Sequence, residues 1–188
     1  MFKYLSGILG LDVGIDLGTA NIVVYVKEKG IVLSEPSMVA VRKLPRGGGL
    51  EVIAVGHEAK AMAGKTPAGV EAVCPLQDGV IANFEMTEEL IRFCLHKAKG
   101  GGSFMAHPRV VISVPAEVTE VERKAVVDAT LGAGASEAYV VDEPISAALG
   151  VGLPIDKPQG CMIVDVGGGT SEVSVISLGD YGDRKSVV

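Results

Sequence analysis

Apolar and polar positions alternate with the two-residue period of a β-strand over residues 11–16, and beyond a glycine turn the apolar run at 22–26 predicts a second strand. A third strand is predicted over residues 31–41, interrupted at Pro36. The pattern then weakens through a glycine-rich loop, and residues 43–79 read as a small insertion with a strand at 52–55 and a short helix at 57–63. A helical period returns at residues 87–99, where Leu90, Ile91, Cys94, Leu95 and Ala98 share one face, with Thr87 as cap and Gly100 as stop. The apolar run at 109–114 predicts a strand buried on both faces, as in a covered sheet. A helix follows at 119–131, then a buried strand at 138–141 and a short helix at 144–150. After a linker at 154–160, strands at 161–164 and 172–177 flank a second glycine turn. Three antiparallel strands followed by alternating helices and parallel strands predict an α/β domain, with the hairpin at the end opening a second, related half.

Composition narrows this picture. The chain of 188 residues is 48% apolar, with 4% aromatic residues and no Trp, so its core should be aliphatic. A net charge of −6 lacks the basic footprint of a general nucleic-acid binder. Cys74, Cys94 and Cys161 have no metal-ligand spacing and read as buried, reduced thiols of a cytosolic protein. No run reaches the ~18 apolar residues of a membrane span. At the start of the chain Phe2, Leu5 and Leu9 fall on one side of a helix, readable as a frayed terminus or as a short interfacial membrane anchor. No small-residue cleavage site follows, which argues against a signal peptide.

The candidate chemistry lies in the two glycine turns. Val13-Gly14-Ile15-Asp16-Leu17-Gly18-Thr19-Ala20-Asn21 and Ile163-Val164-Asp165-Val166-Gly167-Gly168-Gly169-Thr170-Ser171-Glu172-Val173 share a strand–Asp–Gly–Thr–strand order. Gly18, Gly168 and Gly169 let backbone N–H groups approach an anion, and Thr19 and Thr170 add hydroxyl donors. Asp16 and Asp165 would be repelled by phosphate directly but suit Mg²⁺ held mostly through water. Either hairpin alone could be an ordinary tight turn; the matched pair points to a phosphate chain gripped from both sides. Between them, Glu143 ends a strand and opens a helix with Pro144 in its first turn, where open α/β sheets bind ligands. It could orient or deprotonate a water attacking a terminal phosphate, or merely complement the helix terminus.

Asp16-Leu17-Gly18-Thr19, Glu143-Pro144-Ile145-Ser146-Ala147-Ala148 and Asp165-Val166-Gly167-Gly168-Gly169-Thr170 resemble the phosphate-1, connect-1 and phosphate-2 motifs of the actin-like ATPase superfamily. Gly30-Ile31-Val32-Leu33-Ser34-Glu35-Pro36-Ser37, Gly79-Val80-Ile81-Ala82-Asn83-Phe84 and residues 114–123 are similar to the MreB family of bacterial rod-shape-determining actin homologues, over roughly residues 10–178. The resemblance implies an actin-like (RNase H-like) α/β ATPase domain. Its first subdomain, IA, would comprise residues 1–42 and 80–158, with the inserted subdomain IB at 43–79 and the incomplete start of a second half, IIA, at 159–188. It implies ATP with Mg²⁺, self-assembly into filaments at the inner face of the cytoplasmic membrane, partnership with the cell-wall elongation machinery, and a role in cell shape. In the family, residues matching Thr19, Ala20, Asn21, Thr170, Ser171 and Glu172 border the nucleotide, and the one matching Glu143 positions the hydrolytic water. An apolar loop at the place of Phe104 and Met105 enters the bilayer in that family.

Two departures are expected. The adenosine-binding motif, connect-2 and the closing helix of the family have no counterpart here, so this chain alone should bind ATP weakly and scarcely hydrolyse it. From about residue 180 the chain is charged where the family continues with an apolar strand, so that tail reads as foreign to the pattern and the hairpin at 161–177 as an exposed sheet edge. A sugar or metabolite kinase, or a chaperone-type nucleotide switch of the same superfamily, is the alternative reading.

Overall fold

The computed structural model describes residues 11–45, 48–100 and 107–187, with side chains described as far as residue 180. Phe2, Leu5, Leu9, Phe104 and Met105, the membrane-contact candidates, lie outside these residues. The central sheet is built from β1 (Asp12–Leu17), β2 (Asn21–Val26), β3 (Gly30–Pro36), β9 (Arg109–Val114) and β10 (Glu137–Asp142), in the order β10-β9-β1-β2-β3. The first three strands form an antiparallel meander, and β9 and β10 join the other side of β1 in parallel. Alternation along the strands sends Val13, Ile15, Leu17, Ile22, Val24, Val26, Val110 and Ile112 to one face, where they form the core.

Two helices cover that face. Helix α2 (Phe84–Lys99) buries Leu90, Ile91, Cys94, Leu95 and Ala98, the stripe its period predicts, and ends on Gly100 in the left-handed conformation at φ 60°. Its cap is Asn83, whose Oδ1 accepts from Met86 N–H at 3.0 Å; Thr87 is buried inside the helix and returns its hydroxyl to Asn83 O at 2.8 Å. Burial pushes the Cys94 thiol up to about 12, with the Glu35 charge adding to the shift. Helix α3 (Glu120–Gly132) opens with a capping box, in which the Thr119 side chain accepts from Glu122 N–H and Glu122 Oε2 accepts from Thr119 N–H at 2.7 Å.

The other face of the sheet is only partly covered, which overturns two expectations. Strand β9 is buried on one face, with Val111 45% exposed on the other, and β10 is an edge strand with Tyr139 56% exposed. Together with Gly14 and Tyr25 they line a shallow apolar depression of about 380 Å³, rimmed by Asp12, Lys27 and Arg109. Arg109 Nη2 sits 2.7 Å from Asp12 Oδ1 there.

The predicted strand over 31–41 is two strands in two sheets. β3 stays in the central sheet, whereas β4 (Val39–Lys43) is the middle of a three-stranded sheet with β5 (Leu50–Val55) and β6 (Val70–Val73), backed by α1 (His57–Met62). The chain breaks at Ser37, whose N–H donates to Ala20 O at 3.0 Å and whose hydroxyl donates to Gly18 O at 2.6 Å. A short ribbon, β7 (Leu76–Gln77) with β8 (Val80–Ile81), leads into α2. At the far end β11 (Cys161–Val166), β12 (Ser171–Ser177) and β13 (Asp180–Val187) form an antiparallel sheet, and α4 (Glu143–Gly150) packs on it through Ile145, Ala148, Ile155, Ile163 and Ile176. The charged tail therefore forms a strand that covers the β12 edge, where an exposed edge was expected.

Candidate functional site

The β1–β2 and β11–β12 turns, remote in sequence, abut. At the first turn a Cβ on Gly18 would stand 2.7 Å from Asn21 O, so only glycine fits the bend. The turn is tied down from outside the central sheet: Gly79 N–H donates to Thr19 Oγ1 at 2.9 Å and Cys74 Sγ to Thr19 O at 3.1 Å, alongside the two bonds from Ser37. The second turn closes on itself through Gly167 N–H to Thr170 O at 2.9 Å. Gly168 faces Ala20 and Gly169 faces Thr19; a Cβ on either glycine would lie 2.4 Å and 2.8 Å, respectively, from the Cβ of its neighbour.

Carboxylates gather around this junction. Asp16 lies one residue before the end of β1, exposed to solvent, and accepts from Ser113 Oγ at 3.0 Å. Its proton affinity is raised by enclosure, opposed by the Ser113 hydrogen bond and reinforced by the Asp165 charge. Asp165 pairs across β11–β12 with Glu172. Glu143, first residue of α4, is pushed up to about 7 by burial and then by Asp16, Asp165 and Glu172, so it senses the whole cluster. Glu172 is only 4% exposed. It is raised by burial, with the hydrogen bonds from Ala116 N–H and the Ser174 hydroxyl acting against that rise.

These positions fit a hydrated divalent cation. Carboxylates gathered this closely repel one another, and positive charge relieves that repulsion. Among the described residues no three His, Cys, Asp or Glu side chains converge closely enough to ligate a metal by themselves.

Of the residues singled out in the sequence, Asp16, Gly18, Thr19, Ala20, Glu143, Asp165, Gly168, Gly169 and Glu172 come together at this junction. Thr170 closes the second turn and Ser171 begins β12, while Asn21 begins β2 with its side chain exposed. Ser37, Cys74, Gly79 and Ser113 were not singled out as site residues. Their signal is tertiary, apart from Ser113, whose hydroxyl interrupts an otherwise apolar strand.

Comparison with known proteins bears on the fold and the family. The family model described as MreB/Mbl protein matches residues 10–188, including the charged tail that looked foreign to the pattern. The cell shape-determining protein MreB of Escherichia coli (strain K12) is 47% identical over 178 residues, covering 95% of this chain and 51% of that protein. The cell shape-determining protein Mbl of Bacillus subtilis (strain 168) is 47% identical over 176 residues, covering 94% and 51%. The chain thus spans about half the length of the curated relatives it matches. Among solved structures, MreB5 of Spiroplasma citri bound to ADP superposes with TM-score 0.81 at 36% identity, covering 95% of this chain and 52% of that one. The same protein bound to AMPPNP gives TM-score 0.79. A MamK double helical filament shares the fold, with TM-score 0.75 at 23% identity, covering 94% of this chain and 54% of that one. The fold is actin-like, and the chain belongs to the MreB/Mbl family.

Proposed function

We propose that this chain supplies the phosphate- and metal-binding half of an ATP-hydrolysing cleft in an actin-like cytoskeletal subunit. That subunit assembles into filaments at the inner face of the cytoplasmic membrane and directs cell shape through the wall-elongation machinery. The observation that carries the reading is the meeting of two glycine turns beside four carboxylates, where Asp16 of one hairpin and Asp165 and Glu172 of the other bear on Glu143. Support comes from the relatives: the Spiroplasma citri protein was solved with AMPPNP and with ADP, and MamK as a double helical filament.

In this reading the backbone N–H groups around Gly18–Asn21 and Gly168–Glu172 cradle the phosphate oxygens, with the Thr19 and Thr170 hydroxyls beside them. Thr19 accepts from Gly79 N–H and keeps its own proton to donate. Asp16 and Asp165 hold Mg²⁺ through water, and that ion neutralises charge on the phosphates. Glu143, with an affinity matched to neutral pH, orients the attacking water and takes its proton. Subdomains IA (1–42 and 80–158), IB (43–79) and the start of IIA (159–188) are the corresponding divisions. None of the described helices is long and apolar enough to cross a membrane, so association rests on Phe2, Leu5, Leu9, Phe104 and Met105.

Calorimetric titration of ATP and ADP into the chain, with and without Mg²⁺, tests the reading. Binding is expected to be weak, to require Mg²⁺, and to lose that requirement when Asp16 and Asp165 are both changed to Asn. Binding indifferent to Mg²⁺ in the unaltered chain would remove the proposed site.

A further inference from the structure

Ser113 is the polar residue in the middle of an apolar strand end, between Ile112 and Val114 on β9. It is 8% exposed. In the parallel register it lies beside Asp16 on one side and Val141 on the other. A buried hydroxyl needs a partner, and Val141 has only backbone to offer. The partner is Asp16: Ser113 Oγ donates to its Oδ1 at 3.0 Å, across the neighbouring strands β9 and β1.

We infer that Ser113 is a positioning residue that holds the Asp16 carboxylate in the orientation required for a hydrated divalent cation, leaving the second oxygen to the cleft. The inference rests on the reading of Asp16 as part of the Mg²⁺ site and deepens it. Two features make the arrangement more than a stray hydrogen bond. The donor is fixed by the strand, so the bond limits rotation of the aspartate at little further entropic cost. The acceptor is a carboxylate, and a hydrogen bond to a charged acceptor is stronger than one between neutral partners. Outer hydrogen bonds of this kind orient metal-binding carboxylates, and their removal costs about 10- to 100-fold in metal affinity. Hydroxyl replacement on a sheet leaves the fold to its apolar neighbours, so the effect should fall on the ion and spare the nucleotide once the ion is saturating.

The test uses the 188-residue chain with ADP, and Mn²⁺ standing in for Mg²⁺. Paramagnetic broadening of the Thr19 and Gly168 amide resonances is followed as Mn²⁺ is added. Ser113→Ala should shift the titration to at least about tenfold higher Mn²⁺, with ADP affinity at saturating Mn²⁺ and the melting temperature unchanged. Ser113→Thr, which keeps the hydroxyl, should titrate like the unaltered chain. Ser113→Val has the shape of the threonine variant without its hydroxyl, so the Thr–Val pair decides the matter if the alanine variant does not fold. Equal titrations in the hydroxyl-bearing and hydroxyl-less variants would overturn the role of Ser113 while leaving the metal site standing. No broadening in the unaltered chain would overturn the metal site and this inference together.

Discussion

Gly168 and Ala20 meet so closely that a methyl group on the glycine would sit 2.4 Å from that of the alanine. The contact fixes how near the two hairpins approach. Gly168→Ala is expected to force the turns apart and cost about 1–3 kcal/mol by overpacking. Ala20→Gly in the same chain should recover much of that loss, a coupling measured by urea denaturation of both single variants and the double. Independent, additive effects would show that the turns are not in contact in solution.

Glu143 should make stability pH-dependent. Its affinity rises from the ordinary 4.5 to about 7, so the folded protein binds this proton more tightly than the unfolded chain. Stability is then fully favoured below about pH 4.5 and falls as pH rises to about 7. Glu143→Gln should remove this contribution and leave the protein more stable than the unaltered chain at pH 8 by roughly 1–3 kcal/mol. Mg²⁺ at pH 8 should recover part of the same difference. Thermal melts across pH 4–8, with and without Mg²⁺, read both effects.

Thr19 ties the first turn to the β7–β8 ribbon through the Gly79 N–H at 2.9 Å. Thr19→Val preserves shape but leaves that N–H unpaired, which should cost about 1–3 kcal/mol. Thr19→Ser should retain most of the stability. Hydrogen exchange at the Gly79 amide is the direct measurement, and it should accelerate in the valine variant alone.

Phe104 and Met105 carry the membrane proposal. Each buried side chain is worth roughly 1.5–3 kcal/mol, so one chain binds weakly and a polymer repeating the pair binds avidly. Co-sedimentation with liposomes should therefore grow with polymer length and be largely lost in a Phe104→Ser, Met105→Ser variant. Unchanged sedimentation of that variant would remove these residues from membrane binding.

Much of the site was legible because its parts are local. Two strand–Asp–Gly–Thr turns and a strand-to-helix Glu-Pro step carry their geometry in neighbouring residues. What escaped was set by distant partners. The break between β3 and β4 is fixed by Ser37 bonding to Gly18 and Ala20; Pro36 marks an interruption in the strand, but nothing local says that the chain passes there into a second sheet. Helix α2 starts at Asn83 because Pro75 O and the ribbon hold the preceding turn, whereas Thr87 is an equally good cap by type alone. Strand β13 is charged, yet its backbone pairs with β12 whatever its side chains. The exposed face of β9 reads as buried because apolar composition alone does not say whether a covering layer exists.

The depth of Cys94 gives the molecule a built-in clock. A thiol held to about 12 and sealed under α2 has almost no thiolate to react, whereas Cys74 sits half-buried beside the first turn. Alkylation of Cys94 then proceeds only as fast as the core opens, and alkylation of Cys74 tracks loosening at the cleft. Two reaction rates on one unlabelled chain therefore separate breathing of the site from unfolding of the whole.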